Sequence, residues 1–340
     1  MTRKAPAFWW RSEAGMAALA LWPVARVWSL AAAARMKRPP RYCPPVPVIC
    51  VGNFVVGGAG KTPTAVALAR IARGRGLKVG LLSTGYGGRE GGPLLVDPAR
   101  HTADQVGDEP LLLAAAAPTV VASDRVAGAR RLVEEGVDLI VMDDGFQNPS
   151  LAKDLSLVVV DATAGIGNGR VLPAGPLRAP LSVQLCCADV LLVIGDGTAA
   201  EPLVRAAARS GRATLRGHIR PTKIRGWRKE PLLAFAGIGR PEKFFATLAA
   251  VHAPVVRTVS FPDHHRYSDA EAAELIAAAE AGNLRLVTTE KDRVRLAGRS
   301  GVAGALHDKA EALEVILEFE NQTAIGETID AAVRAARERL

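Results

Sequence analysis

The chain has 340 residues, 49% hydrophobic and 23% charged, which is enough for a large core and more than one core usually serves, so two domains are expected. Its four cysteines, Cys43, Cys50, Cys186 and Cys187, show no CxxC or Cys/His spacing, which argues against a disulfide framework or a zinc site and for a reduced compartment. Net charge is +9, but residues 1–45 alone carry eight basic residues against one acid, Glu13, so the excess is local and a nucleic-acid groove spread over the surface is not expected.

The N-terminal arm, 1–45, combines this charge with Trp9, Trp10, Trp22 and Trp28, four of the five tryptophans. Tryptophan and arginine among Ala, Leu and Val are the composition of an amphipathic helix lying in a lipid interface. The charge-free stretch Ala14 to Ala25 falls short of the roughly 20 residues needed to cross a bilayer, and Pro23 interrupts it. A helix packed on the protein's own core is the alternative, and Arg3 and Lys4 could also open an export signal.

After the Pro-rich segment Pro39 to Pro47, β-branched runs alternate with Ala-rich helical stretches, the pattern of a mostly parallel α/β sheet. Strands are predicted at Val46–Val51, Lys78–Ser83, Thr119–Ala122, Asp138–Met142, Ser156–Val160 and Val190–Ile194. Helices are predicted at Pro63–Arg73, Pro110–Ala116, Arg125–Glu135 and Glu201–Ser210. A smaller α/β unit follows, with strands Leu232–Ala236, Val255–Ser260 and Leu284–Thr288 and helices Pro241–Val251 and Asp269–Ala281. The expected division is an arm over 1–45, a first domain over 46–215, a linker over 216–230 and a smaller α/β domain over 231–340.

Gly57-Gly58-Ala59-Gly60-Lys61-Thr62-Pro63 follows the first predicted strand and opens a helix. Glycines there let backbone N–H groups converge on phosphate oxygens at a helix N-terminus. Lys61 then reaches the terminal phosphates, and Thr62 offers a magnesium ligand. The pattern GxxxxGK[ST] has glycine where this chain has Val55. ATP and Mg²⁺ are the expected ligands, and an ATP-dependent protein would be cut off from its nucleotide by an export signal. Leu139 to Asp144 is an apolar run ending in two carboxylates, which a parallel sheet would bring to the same crevice as the phosphate loop. Gly107-Asp108-Glu109-Pro110 reads by itself as a capped helix start, Asp263-His264-His265 as a surface turn, and Gly165 to Pro180 as either a crossover or a cover with Arg178 facing an anion.

Taken in order, these motifs resemble the tetraacyldisaccharide 4′-kinase family nearly end to end. They are Val51-Gly52-Asn53 into the phosphate loop, Gly85-Tyr86-Gly87-Gly88, Gly107-Asp108-Glu109-Pro110 and Asp143-Asp144-Gly145-Phe146-Gln147. Further on come Gly167-Asn168-Gly169 with Leu172 to Arg178, Phe235-Ala236-Gly237-Ile238, Phe261-Pro262-Asp263-His264 and Thr289-Glu290-Lys291-Asp292. The resemblance implies a P-loop kinase with two α/β domains joined by a short two-stranded linker, the active site in the cleft, and an N-terminal helix on the cytoplasmic face of the bacterial inner membrane. It implies transfer of the γ-phosphate of ATP to the 4′-hydroxyl of a tetraacyldisaccharide 1-phosphate, a lipid A precursor. By motif, Asp108 takes the hydroxyl proton with His264 as partner, and Lys61 acts on the phosphates. Thr62, Asp143, Asp144 and Glu109 serve the metal, and Arg178, Arg125, Gln147 and Asn168 serve substrate or nucleotide. Thr84, Asn148 and Ala179 stand where the family carries other residues.

Two other readings are weighed. A membrane-recruited ATPase switch of the partitioning type normally has a lysine where this chain has Val56, and a GTPase would carry an Asn-Lys-x-Asp motif that is missing here.

Overall fold

A computed structural model describes residues 5–11, 15–222, 226–227 and 230–339. Arg3, Lys4 and Glu13 of the basic arm lie outside these, as do 223–225 and 228–229 of the expected linker. The strands are β1 (Val48–Asn53), β2 (Val79–Ser83), β3 (Leu94–Leu95), β4 (Thr119–Val121), β5 (Leu139–Asp143), β6 (Leu155–Asp161), β7 (Val190–Ile194), β8 (Ala213–Pro221), β9 (Leu232–Ala236), β10 (Val255–Ser260), β11 (Arg285–Thr289), β12 (Glu311–Leu313) and β13 (Val315–Phe319).

Nine of them form one sheet in the order β13-β8-β7-β6-β1-β5-β2-β4-β3. It is parallel from β8 to β4 and ends in an antiparallel strand at each edge. Strands β1, β5, β6 and β7 are buried along their whole length, which is why they read as unbroken apolar runs rather than alternating ones. Apolar layers cover both faces. One is built on Leu68 and Ala72 of the helix Lys61–Gly74, the other on Leu132, Leu185 and Leu203. The remaining strands form a four-stranded parallel sheet, β10-β9-β11-β12, with a core of its own around Phe235, Tyr267 and Leu275.

The carboxyl ends of β1, β5 and β6 carry Asn53, Asp143 and Asp161, and those of β9 and β11 lead into Gly237 and the helix Glu290–Leu296. Ion pairs between the two units join these ends: Asp161 to Arg240 at 2.8 Å and Glu109 to Lys291 at 2.6 Å. The two units therefore meet across a cleft bridged by these pairs. Gly52 sets how closely β1 meets the turn after β5, since a Cβ there would fall 2.2 Å from Phe146 Cβ.

Two expected boundaries differ from what is found. The expected linker begins inside β8, which pairs parallel with β7 and antiparallel with β13. Residues 315–339 do not stay with the smaller sheet. Strand β13 joins the large one, and the helix Gln322–Arg339 lays Ile325, Ile329, Ala332 and Val333 on the core beside the helix Lys61–Gly74. An Ala-rich amphipathic helix has a buried stripe, but the stripe does not say which sheet it covers.

In the arm, the apolar stretch is interrupted as expected: the helix Met16–Ala20 ends at Leu21, and Pro23 lies in the first turn of the next helix, Trp22–Met36. Trp9 is buried, its indole N–H donating to Pro173 O at 3.0 Å, while Asn168 N donates to Trp9 O at 2.7 Å. The arm is thereby tied to the Gly/Pro-rich segment after β6.

The C-terminal return makes a direct prediction. Ile329 is fully buried, and Ile329→Ala should cost about 2–5 kcal/mol in urea unfolding. A cost near zero would mean that this helix does not close the core of the large sheet.

Candidate active site

The phosphate loop spans the turn from β1 into the helix Lys61–Gly74. Gly60 sits at φ +91°, a left-handed conformation that glycine takes without strain. Asn53 Nδ2 donates to Gly57 O at 3.1 Å and holds the loop from the strand end. Lys61 is nearly buried, its Nζ 3.4 Å from Gly57 O and 3.6 Å from Asp144 Oδ2. Gly57, Gly58, Ala59 and Gly60 thus precede the helix N-terminus, with Thr62 and Pro63 in its first turn, as an anion site requires.

At the end of β5, Asp143 is buried beside this helix, and Thr62 Oγ1 donates to its Oδ2 at 3.2 Å. Its other oxygen, Oδ1, has no protein partner. Burial first, then the charge of Glu109, push the Asp143 pKa up to about 7, against the pull of Lys61. A buried carboxylate oxygen left without a donor, next to a threonine hydroxyl, suits a hard cation that is otherwise held by phosphate and water. Among the described residues, no group of three or more His, Cys, Asp or Glu side chains converges as a metal site.

The other two acids expected at the metal are engaged elsewhere. Asp144, at φ +51°, takes a two-pronged contact from Arg178 at 2.9 and 3.1 Å. Burial opposes its charge, but Lys61 and Arg178 outweigh that and hold its pKa low. Glu109 accepts from Lys291. Arg178 also donates from Nε to Val55 O, so it lies over the phosphate loop.

Asp108 opens the helix Asp108–Ala114 and is 3% exposed. Its Oδ1 accepts from Glu109 N at 2.8 Å, leaving Oδ2 for the cleft. From across the cleft come His264 Nδ1 at 3.3 Å, Arg295 Nε at 2.7 Å and Arg295 Nη2. Burial opposes ionisation, yet the His264 hydrogen bond and the charges of Arg295 and Lys291 hold the carboxyl well below the usual range. The same hydrogen bond raises the His264 pKa. The side chains of Asp108 and His264, 156 positions apart, thus meet across the cleft. The exposed Tyr86 ring stands edge-on to His264 at 5.3 Å.

Of the expected substrate contacts, only Arg178 lies at the phosphate loop with its charge toward the cleft acids. Arg125 is buried, donating to Ala122 O at 2.8 Å and Asp144 O at 3.5 Å, so it braces the turn from behind. Gln147 Nε2 donates to Asn53 O and Gln184 Oε1, which fixes the end of β1. Asn168 donates to Ala174 O and Phe8 O, and therefore secures the arm rather than facing the phosphate loop. Residue-level reading missed Arg295 and gave Lys291 no role. The available signal was two cations one helical turn apart, matching the adjacent acids Asp108 and Glu109.

A parallel sheet with a phosphate loop, a buried acid at the neighbouring strand end and a carboxylate–histidine pair closed over it by a second domain defines a P-loop phosphotransferase. The chain belongs to the tetraacyldisaccharide-1-P 4′-kinase family, whose model matches residues 17–334. It is 50% identical over 339 residues to the tetraacyldisaccharide 4′-kinase of Rhizobium meliloti (strain 1021), covering 100% of this chain and 98% of that one. It is 55% identical over 302 residues to that of Methylobacterium sp. (strain 4-46), covering 88% and 91%. Among solved structures, LpxK from Aquifex aeolicus in complex with ATP superposes with a TM-score of 0.73 at 25% identity, over 94% of this chain and 100% of that one.

The Asp108–His264 contact predicts a titration. Because the folded-state pKa of His264 is raised above 6.5, the contact contributes fully below that value and is lost as pH rises through the folded-state one. NMR should find the His264 imidazole titrating above an ordinary histidine, and Asp108→Asn should bring it down. An unchanged titration in that variant would separate the two groups.

Proposed function

We propose that this chain transfers the γ-phosphoryl group of ATP to the 4′-hydroxyl of a tetraacyldisaccharide 1-phosphate, forming lipid IVA in lipid A biosynthesis. The observation that carries the reading is Asp108 Oδ2 facing His264 across the cleft, while its neighbour Glu109 is close enough to Asp143 at the phosphate loop to raise that acid's pKa. A sugar hydroxyl is a weak nucleophile, so the reaction needs a positioned base and balanced phosphate charge.

The glycine loop and the helix N-terminus hold the phosphates, and Lys61 and Arg178 place positive charge where negative charge accumulates on the transferring group. The 4′-oxygen forms its bond to the γ-phosphorus while the bond from that phosphorus to the bridging oxygen breaks. ADP leaves with the electron pair, and the hydroxyl proton passes to Asp108 Oδ2. His264 holds that carboxylate toward the acceptor and carries the proton onward. Thr62 Oγ1 and Asp143 Oδ1 are the oxygens that fit Mg²⁺, which when bound offsets the charge on the phosphates.

Delivery of a lipid substrate fits the arm. Among the described residues no helix is long and apolar enough to cross a membrane. Met16, Leu19, Trp22, Val24, Val27, Trp28 and Leu30 are all exposed, and Arg26, Arg35, Lys37 and Arg38 accompany them. Exposed apolar rings and aliphatic chains beside cations suit the headgroup level of an anionic leaflet, with the arm on the cytoplasmic face of the inner membrane.

Two experiments test this reading. With γ-labelled ATP and tetraacyldisaccharide 1-phosphate in mixed micelles, label should enter the lipid, and Lys61→Ala and Asp108→Asn should each lower transfer by roughly 100-fold or more. ATP hydrolysis with no labelled lipid would favour a nucleotide switch. Replacing Trp22, Val27 and Leu30 together by serine should weaken co-sedimentation with anionic vesicles and raise KM for the lipid while leaving KM for ATP unchanged. Equal vesicle binding would remove the arm from membrane recruitment.

A further inference from the structure

Arg295 is the one cation that grips the reactive oxygen of Asp108 with two nitrogens, and none of the chemistry above uses it. Its side chain is 7% exposed, on the helix Glu290–Leu296 of the smaller unit. Nε and Nη2 donate to Asp108 Oδ2, while Nη1 donates to Gly237 O at 2.6 Å and Asp292 Oδ1 at 2.8 Å. The guanidinium is therefore held as a fork with one side on its own domain and the other on the base.

Its anchor is rigid. Asp292 is fully buried and takes the hydroxyl of Tyr267 at 2.9 Å, that of Thr289 at 2.6 Å and the amide of Gly237 at 3.1 Å. These three donors hold Asp292 in place, and Arg295 Nη1 adds a fourth at Oδ1. A guanidinium fixed by such a network has almost no rotamer freedom left and fixes what it touches. Asp108, for its part, accepts a single intradomain hydrogen bond at its carboxylate, from Glu109 N.

We infer that Arg295 is a positioning residue that sets the orientation of Asp108 Oδ2 toward the acceptor hydroxyl, and does so only when the two domains are closed on each other. A lysine could not do the same work, because it offers a point charge in place of two rigidly spaced donors converging on Oδ2. The residue touches neither phosphate nor acceptor in this role; it acts through Asp108. The inference rests on Asp108 being the base.

The test is steady-state and single-turnover kinetics of the full-length enzyme in mixed micelles. Arg295→Met should lower kcat by roughly 10- to 100-fold, the scale of a misplaced reacting group, with KM for ATP and lipid nearly unchanged. Arg295→Lys should recover only part of the loss, and added guanidinium ion should restore Arg295→Ala at concentrations that leave the wild type unaffected. In an Asp108→Asn background, Arg295→Met should cost less than about 3-fold more, since residues acting through one group are not additive.

If Arg295→Met keeps the wild-type kcat, or if its loss adds in full to that of Asp108→Asn, the positioning role is overturned. Should Arg295→Met prove too unstable to assay, Arg295→Lys and the guanidinium rescue decide alone, and a rescue that fails in soluble, folded Arg295→Ala counts against the inference. Full transfer by Asp108→Asn would instead overturn the choice of base, an outcome distinct from either.

Discussion

Asp108 is a carboxylate almost sealed from water on one domain, and the cations that balance it stand on the other. Burying an isolated charge costs several kcal/mol, and removing one partner of a buried pair leaves that cost uncompensated. Asp108 can thus be both buried and ionised only while the cleft is closed. The same logic repeats at Glu109 with Lys291 and at Asp161 with Arg240 and Lys243. These three acids on the large sheet's side meet Arg295, Lys291, Arg240 and Lys243, besides His264, on the small sheet's side. Charge complementarity across the cleft selects the closed arrangement over a merely adjacent one.

Connectivity serves that arrangement. The chain leaves the large sheet through β8 and comes back through β13, paired antiparallel from Gly217–Phe319 to Pro221–Val315. Two neighbouring strands of the large sheet thus carry the chain to and from the small unit, and the C-terminal helix packs on the large core. A chain ending in the small domain would be joined by one strand and would lack that second fixed point. At the phosphate loop, Asp144 sits between Lys61 and Arg178. Arriving phosphate competes with this carboxylate for both cations, so the site holds its positive charges in place before nucleotide binds, at the cost of an exchange when it does.

How much of this was legible in the sequence differs by the range of the interaction. The phosphate loop and the Asp143-Asp144 pair were readable because a strand, its turn and the next helix are contiguous, and a parallel sheet puts all its strand ends on one side. The doubly buried strands were readable as unbroken apolar runs. By contrast, Asp108 looked like a helix cap. Only the family resemblance joined it to His264, since nothing in a local window states that positions 108 and 264 share a hydrogen bond. Arg295 was passed over for a related reason: one arginine on a short charged helix resembles any solvent-facing residue until the facing acids are known. The C-terminal return failed at the same point, because Ile325 and Ile329 mark a buried face without naming its partner.

The arm and the cleft are not separate devices. The Trp10 ring lies under the Arg240 guanidinium at 4.9 Å, and Arg240 donates to Asp161 at the end of β6. Trp9 and Asn168 fasten the arm to the segment that ends at Arg178, and Trp28 donates to Arg178 O. The arm thus contacts the large domain through the segment that carries Arg178 and the small domain through Arg240. The Trp10 ring, packed on the large domain's core, meets a cation from the opposite domain, whereas Trp9 and Trp28 bond to the segment that leads to Arg178. Of the arm's contacts, the one between Trp10 and Arg240 therefore depends on closure, and closure on the acids paired with their cations across the cleft.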